Sequence, residues 1–343
     1  MSRSQAPLPS KPTVPAAPLA ALTSRWATQL GLLVVIVALA VLFSRAQPGF
    51  LSWPNISLIF KYYSPVAVLA LGMTFIILTG GIDLSVGFLM MFLMFVMAGL
   101  VKKSGLDPTL SLLAGVGAAT GIGALVGACV AFARIPSFII SLAVMVAAYG
   151  GTILISGNQS ITGLPPLLEW LGSTQLRLPN GNLMPLTMPV VIALYLAAGL
   201  ILTRTTYGRY VYAVGSNREA ARLNGVPVGA VELSVYVLSA CCAWLAGLMQ
   251  MGINHTADPK VATSDNLELN AIAMVVIGGT SLTGGRGGVG GTALGAVLLS
   301  MLFNGLPMLG GQFGDTSWRK LVQGAVIFLG AILDAIQRRY VRR

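Results

Sequence analysis

Charged side chains are scarce in this chain of 343 residues, since Asp, Glu, Lys and Arg together make up only 9% of it. Soluble globular proteins carry about 25% of such residues, so the composition excludes a protein built mainly of soluble domains. Hydrophobic residues make up 55% of the chain, and the mean hydropathy is +0.82. Because one bilayer-spanning helix needs roughly 20 mainly apolar residues, this length has room for many spans. The sequence predicts an all-α integral membrane protein.

Histidine and cysteine are almost absent. His255 is the single histidine, and the cysteines are Cys129, Cys241 and Cys242, all within apolar runs. Their spacing fits neither a disulfide framework nor a metal site, and we expect them to be small packing residues. A membrane-embedded enzyme would need a nucleophile with its base, or a metal cluster. The sequence offers neither, so we expect no enzymatic activity and no metal or cofactor bound by this chain.

Phosphate-binding sequences are missing as well. The dipeptide Gly-Lys does not occur, which excludes a Walker A loop. The stretch from Gly285 to Gly290 fits the pattern G-x-G-x-x-G, but no strand–helix–strand pattern surrounds it, so we reject dinucleotide binding. If ATP drives this protein, the ATPase must be another polypeptide.

Apolar runs predict a polytopic helix bundle with about ten membrane spans. A proline-rich segment, residues 1–26, is expected to form a disordered cytoplasmic tail, which leaves 27–343 as the transmembrane domain. The predicted spans are 27–43, 63–80, 84–101, 110–133, 137–156, 186–203, 230–252, 267–283, 288–309 and 319–336. An even number of spans places both termini on the same side of the membrane.

The net charge of +11 indicates how the chain is oriented. If both termini are cytoplasmic, 13 of the 21 Lys and Arg residues lie on the cytoplasmic side. Cytoplasmic loops of membrane proteins carry an excess of these residues. We predict cytoplasmic N- and C-termini, and we interpret the basic charge as a feature of membrane topology and not of nucleic-acid binding.

Two glycines interrupt the second apolar run in the stretch LTGGIDLSVG, residues 78–87. Gly80 and Gly81 can end a helix in the left-handed conformation, and Asp83 can accept backbone N–H bonds at the start of the next helix. The stretch VVIGGTSL, residues 275–282, repeats the pattern, with Gly80 aligned to Gly278 at an offset of 198 residues.

Paired glycine-interrupted segments in two halves of a membrane protein point to a transport path. The candidates for lining this path are Gly80, Gly81, Asp83, Ser85, Gly278, Gly279, Thr280 and Ser281. The alternative is that both glycine pairs form short cytoplasmic turns, with Asp83 as a helix cap. The sequence leaves both interpretations open and does not say whether the repeat is parallel or inverted.

Glycines at G-x-x-x-G spacing predict tight helix packing, because small residues allow close backbone contact in lipid. Three such pairs occur: Gly117 with Gly121, Gly123 with Gly127, and Gly291 with Gly295.

The loop of residues 204–230, between the sixth and seventh predicted spans, contains a short capped helix. Ser216, Asn217, Arg218 and Glu219 match a capping box, so we predict a helix from Glu219 to Leu223. Gly225 stands where a helix C-cap belongs, and Pro227 follows it. The predicted element comprises Ser216, Asn217, Arg218, Glu219, Ala220, Ala221, Arg222, Leu223 and Gly225. It suggests a docking element for a soluble partner, and the alternative is a helix that lies at the lipid headgroups.

Three stretches of sequence form a familiar set: TGGIDLSVG at 79–87, the pattern GxNxxAAxLxGV at 215–226, and LNAIAMVVIGGTSLTGGRGGVGGTALGA at 269–296. In this order they resemble the permease subunits of bacterial ABC sugar importers of the ribose, xylose, arabinose and galactose type. The likeness runs from about Pro65 to the C-terminus. The proline-rich N-terminus and the loop 157–185 lie outside its recognisable core.

The resemblance implies an ATP-driven, binding-protein-dependent importer of a monosaccharide or related polyol in the bacterial inner membrane. Its expected partners are a second permease subunit, identical or different, and cytoplasmic ATP-binding cassette subunits that hold ATP and Mg. A periplasmic or extracellular sugar-binding protein would deliver the substrate. The resemblance also implies that the segment 216–226 is the coupling helix, which would lie in a groove of the ATPase.

Two other functions stay open. An ion-coupled secondary transporter would use Asp83 as its titratable group, although such proteins usually bury carboxylates or histidines in mid-span. A related permease for branched-chain amino acids or nucleosides is the other alternative. The sequence does not name the sugar or polyol.

Overall fold

The computed structural model describes residues 19–310, 317–318, 320–325, 328 and 332, with side chains for all of these except 19–28 and 265. In chain order the elements are α1 (Leu19–Ala46), α2 (Trp53–Leu78), α3 (Val86–Ser104), α4 (Pro108–Ala131), α5 (Ser137–Ser156), β1 (Ile161–Thr162), α6 (Pro166–Ser173), β2 (Gln175–Arg177), β3 (Leu183–Pro185), α7 (Thr187–Arg204), α8 (Thr206–Ser216), α9 (Arg218–Leu223), α10 (Val228–Asn254), β4 (Thr256–Ala257), α11 (Val261–Asp265), α12 (Leu267–Ile277) and α13 (Val289–Met308). The short strands form two antiparallel pairs, β1 with β4 and β2 with β3. The prediction of an all-α fold is confirmed.

Eight helices in the described part of the chain are long and apolar enough to cross a membrane. They are residues Gln29–Ala46 of α1, and α2, α3, α4, α5, α7, α10 and α13. The prediction of a polytopic membrane bundle is confirmed, and the predicted span 137–156 coincides with α5. The last predicted span, 319–336, lies for most of its length outside the described residues, as do residues 1–18 of the predicted tail. α1 begins at Leu19, before the predicted domain boundary at residue 27.

The eighth predicted span, 267–283, has the wrong bounds. α12 contains 11 residues and ends at Ile277, which gives about 16 Å of helix against a hydrocarbon core of about 30 Å. α11 precedes it, and only Asn266 separates the two helices, in the left-handed conformation with φ 46° and ψ 54°. We interpret α11 and α12 as two pieces of one broken span, whose interruption the apolar pattern did not reveal.

α2 is the central helix of the bundle. All its residues from Ser64 to Leu78 are buried, and α7, α10, α12 and α13 pack around it. A helix that is apolar on every side is typical of such a position. Thr74 forms a buried hydrogen bond of 2.8 Å with Thr292 of α13, which satisfies two hydroxyl groups away from water.

The G-x-x-x-G prediction holds for two of the three pairs. A Cβ on Gly127 of α4 would lie 2.8 Å from backbone atoms of α10, and a Cβ on Gly295 of α13 would lie 2.0 Å from the carbonyl oxygen of Met274. These glycines allow close backbone contact, as predicted. Gly117 and Gly121 have no heavy atom within 4 Å of the corresponding position, so their face of α4 makes no such contact with the described residues.

Helix termini gather at two opposite ends of the bundle. At the first, which we call the α9 end, Gly285 N donates to the Leu78 carbonyl oxygen, at the end of α2. At the second, the outer end, β1 pairs with β4 and so joins the segments after α5 and after α10. Trp53 Nε1 also donates there to the carbonyl oxygen of Leu183, at 2.9 Å. In the predicted orientation the α9 end faces the cytoplasm.

Candidate functional site

The short helix α9 is capped at both ends. The side-chain oxygen of Asn217 accepts a hydrogen bond from Ala220 N at 2.9 Å, which makes Asn217 the N-cap. At the other end Gly225 N donates to the Arg222 carbonyl oxygen, and Gly225 has φ +79°. Val226 N donates to the carbonyl oxygen of Ala221, which completes a Schellman motif.

The sequence-based prediction for α9 needs two corrections. Ser216 is the last residue of α8 and not the cap, because the chain leaves the helical conformation only at Asn217. The helix begins at Arg218, one residue before the predicted start at Glu219.

Arg218 fixes α9 to the rest of the bundle. Its Nε donates to Oε1 of Glu232 at 2.7 Å and its Nη2 to Oε2 at 2.8 Å, while Nη2 also donates to the Ala131 carbonyl oxygen at 3.1 Å. Glu232 is buried in the second turn of α10, and its hydrogen bonds raise the pKa of Arg218. A bidentate pair fixes geometry as well as charge, so α9 is held in one orientation against α10 and α4. Sequence reasoning missed this pair.

The opposite face of α9 is exposed. Leu223 is 74% exposed, while Ala221 is the buried residue of the helix. Arg222 Nη2 lies 2.6 Å from Oε1 of Glu219, and this hydrogen bond lowers the pKa of Glu219. An ion pair this exposed is screened by solvent and contributes little to stability. The face therefore presents an apolar side chain beside both signs of charge, which is the composition of a small protein–protein contact.

The first glycine pair ends α2. Thr79 is the C-cap, Gly80 follows it with φ +84°, and the N–H groups of Gly80 and Gly81 donate to the carbonyl oxygens of Ile77 and Ile76. These two bonds form a Schellman motif, which satisfies the last carbonyls of the helix.

The second glycine pair ends α12 in the same way. Gly278 is the C-cap and Gly279 has φ +86°, while Gly279 N and Thr280 N donate to the carbonyl oxygens of Val276 and Val275. By this geometry Gly80 corresponds to Gly279, an offset of 199 residues. The predicted alignment of Gly80 with Gly278 is wrong by one residue, because the left-handed position and not the first glycine defines the match.

After the first glycine turn the chain runs unwound beside α5. The Ile82 N–H donates to Oγ of Ser137 at 3.0 Å, and the Leu84 N–H donates to Oγ of Ser141 at 3.1 Å. Ser141 lies in the second turn of α5, so the segment runs back along that helix before α3 begins. Non-helical backbone is tolerated at such a place only when other groups satisfy it, and here two serine hydroxyls do so.

Asp83 stabilises this unwound segment. One of its carboxylate oxygens, Oδ1, accepts from Ser85 N at 2.8 Å and from Ser85 Oγ at 2.6 Å, and both residues are buried. The N-cap position of α3 belongs to Ser85. Asp83 lies two residues before this observed N-cap, so the prediction that Asp83 caps α3 is wrong, although Asp83 accepts a backbone N–H as expected.

The predicted coupling element and the two glycine turns meet at the α9 end. A Cβ on Gly215 would lie 1.8 Å from the Leu78 carbonyl oxygen and 2.6 Å from Gly285 N. The hydroxyl of Tyr212 donates to the Gly287 carbonyl oxygen at 3.0 Å. Since Gly215 stands two residues before the cap of α9, the end of α8 lies in direct backbone contact with the end of α2 and with the α12–α13 hairpin.

Thr280 and Ser281 belong to a tight hairpin between α12 and α13. Ser281 N donates to the Arg286 carbonyl oxygen at 3.0 Å, and Gly288 N donates to Oγ1 of Thr280 at 3.3 Å. Both side chains are buried. A cavity of about 420 Å³ near the outer end and one of about 960 Å³ beside α2, α7 and α13 are lined by other residues. None of the eight predicted path residues borders either cavity, and the glycines among them form packed turns.

These features define a class: a polytopic membrane protein in which two helices end in glycine turns and a short surface helix is anchored to the bundle. Residues 55–331 match the family described as "Branched-chain amino acid transport system / permease component". The match covers more than half of the chain, and the chain belongs to this family of permease components.

Several curated proteins are similar to most of the chain. The ribose import permease protein of Escherichia coli is 35% identical over 320 residues, which cover 91% of this chain and 95% of that protein. The ribose import permease protein of Bacillus subtilis is 33% identical and covers 89% and 91%. The fructose import permease protein of Rhizobium meliloti is 34% identical and covers 88% and 84%. No solved structure matches the chain.

Proposed function

We propose that this chain is the membrane-spanning permease subunit of an ATP-driven, binding-protein-dependent importer of a monosaccharide or a related polyol. The named ribose and fructose permeases support a sugar substrate, because they are similar to this chain along nearly their whole length. We expect the chain itself to have no enzymatic activity and to bind no cofactor, with ATP and Mg held by the partner ATPase.

The observation that carries this proposal is the attachment of an exposed helix to the end of α2 and to the α12–α13 hairpin. Arg218 holds α9 against buried Glu232, and Gly215 connects α8 to the ends of α2 and the α12–α13 hairpin. A force applied to the exposed face of α9 would therefore reach α2, the central helix, through backbone contacts. An ATPase that binds α9 from outside the membrane needs such a connection in order to move the helices of the bundle.

The expected assembly follows from this arrangement. Cytoplasmic ATP-binding cassette subunits would dock on the face that carries Leu223, Glu219 and Arg222. A second permease copy, identical or different, would complete the membrane part in the bacterial inner membrane, with both termini cytoplasmic. A periplasmic or extracellular sugar-binding protein would deliver the substrate at the outer end.

The alternatives predict different behaviour. In an ion-coupled transporter Asp83 would bind the coupling ion, yet one of its oxygens already accepts two hydrogen bonds from Ser85. A permease for branched-chain amino acids is suggested by the family description, and a nucleoside permease is a related possibility.

Uptake of labelled ribose, fructose, leucine and adenosine by cells that express the chain with its genomic neighbours separates these functions. We expect sugar uptake that stops when cellular ATP is depleted, and uptake that instead follows the proton gradient would overturn the ABC assignment.

Substitution of one exposed leucine, Leu223, tests whether the ATPase docks on α9. Leu223→Glu should prevent co-purification of the ATPase and abolish uptake, because it places a charge in the apolar centre of the contact. Leu167→Glu is the matched control, since Leu167 is an exposed leucine of α6 at the outer end. Ala221→Pro should have the same effect as Leu223→Glu, because Ala221 N donates to the Asn217 carbonyl oxygen. Continued co-purification with both α9 variants would show that the ATPase docks elsewhere.

A further inference from the structure

A cavity of about 420 Å³ lies near the outer end of the bundle, between α2, α10, the broken span α11–α12, α13 and residues 320–323. We call it the outer pocket. Ligand pockets in proteins measure about 300–1,000 Å³ and combine apolar walls with a few placed polar groups. The outer pocket has this size, and its lining mixes polar and apolar side chains.

Four carboxamide side chains contribute to its polar lining. Gln250 and Asn254 lie four residues apart in the last turns of α10, and Asn270 comes from α12 and Gln323 from the segment 320–325. Residues four apart share one face of a helix. Each carboxamide carries a donor and an acceptor, as a sugar hydroxyl group does. Four such groups around one cavity match a ligand that presents several hydroxyls.

Gln323 provides the sharpest indication that the outer pocket binds a ligand. This residue is only 8% exposed, and its Nε2 atom has no hydrogen-bond partner among the described residues. Buried polar groups are nearly always hydrogen-bonded, and an unpaired donor in a native structure needs an explanation. A hydroxyl oxygen of a bound ligand would accept this hydrogen bond.

The remaining lining favours a neutral sugar over an amino acid. The rings of Tyr63 and Phe303 lie side by side, with centroids 6.3 Å apart, and offer apolar surface to the C–H groups of a sugar ring. Lys320 is the charged residue of the described lining, and it is exposed. Because no carboxylate lines the described pocket, the α-ammonium group of an amino acid would have no partner of opposite charge there.

The broken helix gives an independent reason to expect a ligand here. Asn266 separates α11 from α12. Ser264 of α11 and Leu267 of α12, on either side of this break, both line the outer pocket. Pro65, inside α2, lines it from the opposite side. Irregular backbone at membrane depth occurs where it lines a cavity, and substrate sites of transporters are typically built by such discontinuous helices.

We propose that the outer pocket is a binding site of the permease itself for the transported monosaccharide, which it receives from the outer end. The proposal rests on the sugar-import function given above. In a binding-protein-dependent importer the soluble protein sets the sugar concentration for half-maximal uptake. A defect in the outer pocket should accordingly lower the maximal uptake rate and leave that concentration unchanged.

A labelling experiment reports on the pocket without transport. Ser264→Cys, in a chain whose three native cysteines are replaced by alanine, places an exposed thiol at the pocket wall. We expect the transported sugar, ribose or fructose, to slow its reaction with a membrane-impermeant maleimide at least threefold, and leucine to have no effect. Adding Gln323→Leu should remove this protection, whereas Gln29→Leu, in α1 and outside the lining, should preserve it.

The uptake assay separates failure of the pocket from failure of the proposed function. At matched expression Gln323→Leu should lower the maximal rate of sugar uptake at least fivefold while the ATPase still co-purifies, and Gln29→Leu should not. If the unsubstituted chain imports sugar but sugar does not slow labelling of the Ser264→Cys variant, the pocket proposal is wrong and the import function stands. If the unsubstituted chain imports no sugar, the proposed function fails and the pocket proposal fails with it.

Discussion

At the scale of single residues, the hydrogen bonds of a buried polar group indicate whether it has a structural role or binds a coupling ion. Asp83 is the clearest case, because its Oδ1 atom accepts from both the N–H and the hydroxyl of Ser85. An asparagine side chain offers the same acceptor, whereas leucine leaves two buried donors unpaired, at a cost of roughly 1–3 kcal/mol each. The local geometry thus favours a structural role in the unwound segment before α3.

Substitution of Asp83 tests that role. Asp83→Asn should keep at least half of the initial uptake rate, and Asp83→Leu should lose most of it or fail to reach the membrane. An ion-coupled mechanism predicts the reverse order for its key variants, with Asp83→Asn inactive and Asp83→Glu active. Initial uptake at matched expression, measured for the three variants across a pH range, distinguishes the two mechanisms.

The Arg218–Glu232 pair leads to a second prediction at this scale. Arg218 is 41% exposed and Glu232 is 10% exposed at the side chain, so the cost of breaking the pair lies between about 1 kcal/mol for surface pairs and about 3–5 for buried ones. Glu232→Gln should release α9 and lower both uptake and ATPase co-purification. Arg222→Gln, which breaks only the exposed pair with Glu219, should leave the Tm nearly unchanged, because solvent screens that pair. Thermal unfolding of the purified variants measures this difference, and equal shifts of Tm would contradict the assigned anchoring role.

At the scale of elements, glycine acts in two ways around α8 and α9. Gly215 allows close packing, since a Cβ there would lie 1.8 Å from the Leu78 carbonyl oxygen. Gly225 supplies a left-handed conformation with φ +79°, and nothing lies within 4 Å of its Cβ position. The first role depends on contact between elements and the second only on the backbone.

The two roles predict different costs for the same substitution. Gly225→Ala should destabilise α9 by about 1 kcal/mol and permit transport, because only the left-handed conformation is strained. Gly215→Ala should cost about 3 kcal/mol or more, since backbone atoms cannot move aside as a flexible side chain does. We expect it to abolish uptake even if the chain reaches the membrane. Normal uptake by Gly215→Ala would mean that the contact of α8 with the end of α2 and the α12–α13 hairpin does not carry the coupling.

The same scale shows what the sequence could and could not predict. Apolar runs located α5 to the residue and eight crossing helices in all, because burial in lipid imposes long apolar stretches. They failed at α11 and α12, where a single left-handed Asn266 breaks the helix without changing hydropathy. Glycine pairs indicated where α2 and α12 end, since the Schellman motif needs glycine at one defined position.

At the scale of the whole molecule, the features missed by the sequence are those that join distant parts of the chain. The outer pocket combines residues from Tyr62 to Gln323, and the Arg218–Ala131 contact links residues 87 positions apart. No local pattern encodes such contacts, because they depend on which helices become neighbours. The membrane orientation, in contrast, depends on charge summed over all loops, so it can be predicted from sequence and tested directly.

Cysteine labelling tests that orientation at the two ends of the bundle. Asn180, in the turn between β2 and β3, and Asn224, after α9, are both exposed and lie at opposite ends. In a chain without its native cysteines, Asn180→Cys should react with an impermeant maleimide added to intact cells. Asn224→Cys and a cysteine added after Arg343 should react only once the membrane is opened, because the excess of Lys and Arg predicts a cytoplasmic α9 end and a cytoplasmic C-terminus. Labelling of Asn224→Cys from outside would reverse the orientation, and it would place α9 beyond the reach of any ATP-hydrolysing partner in the cell.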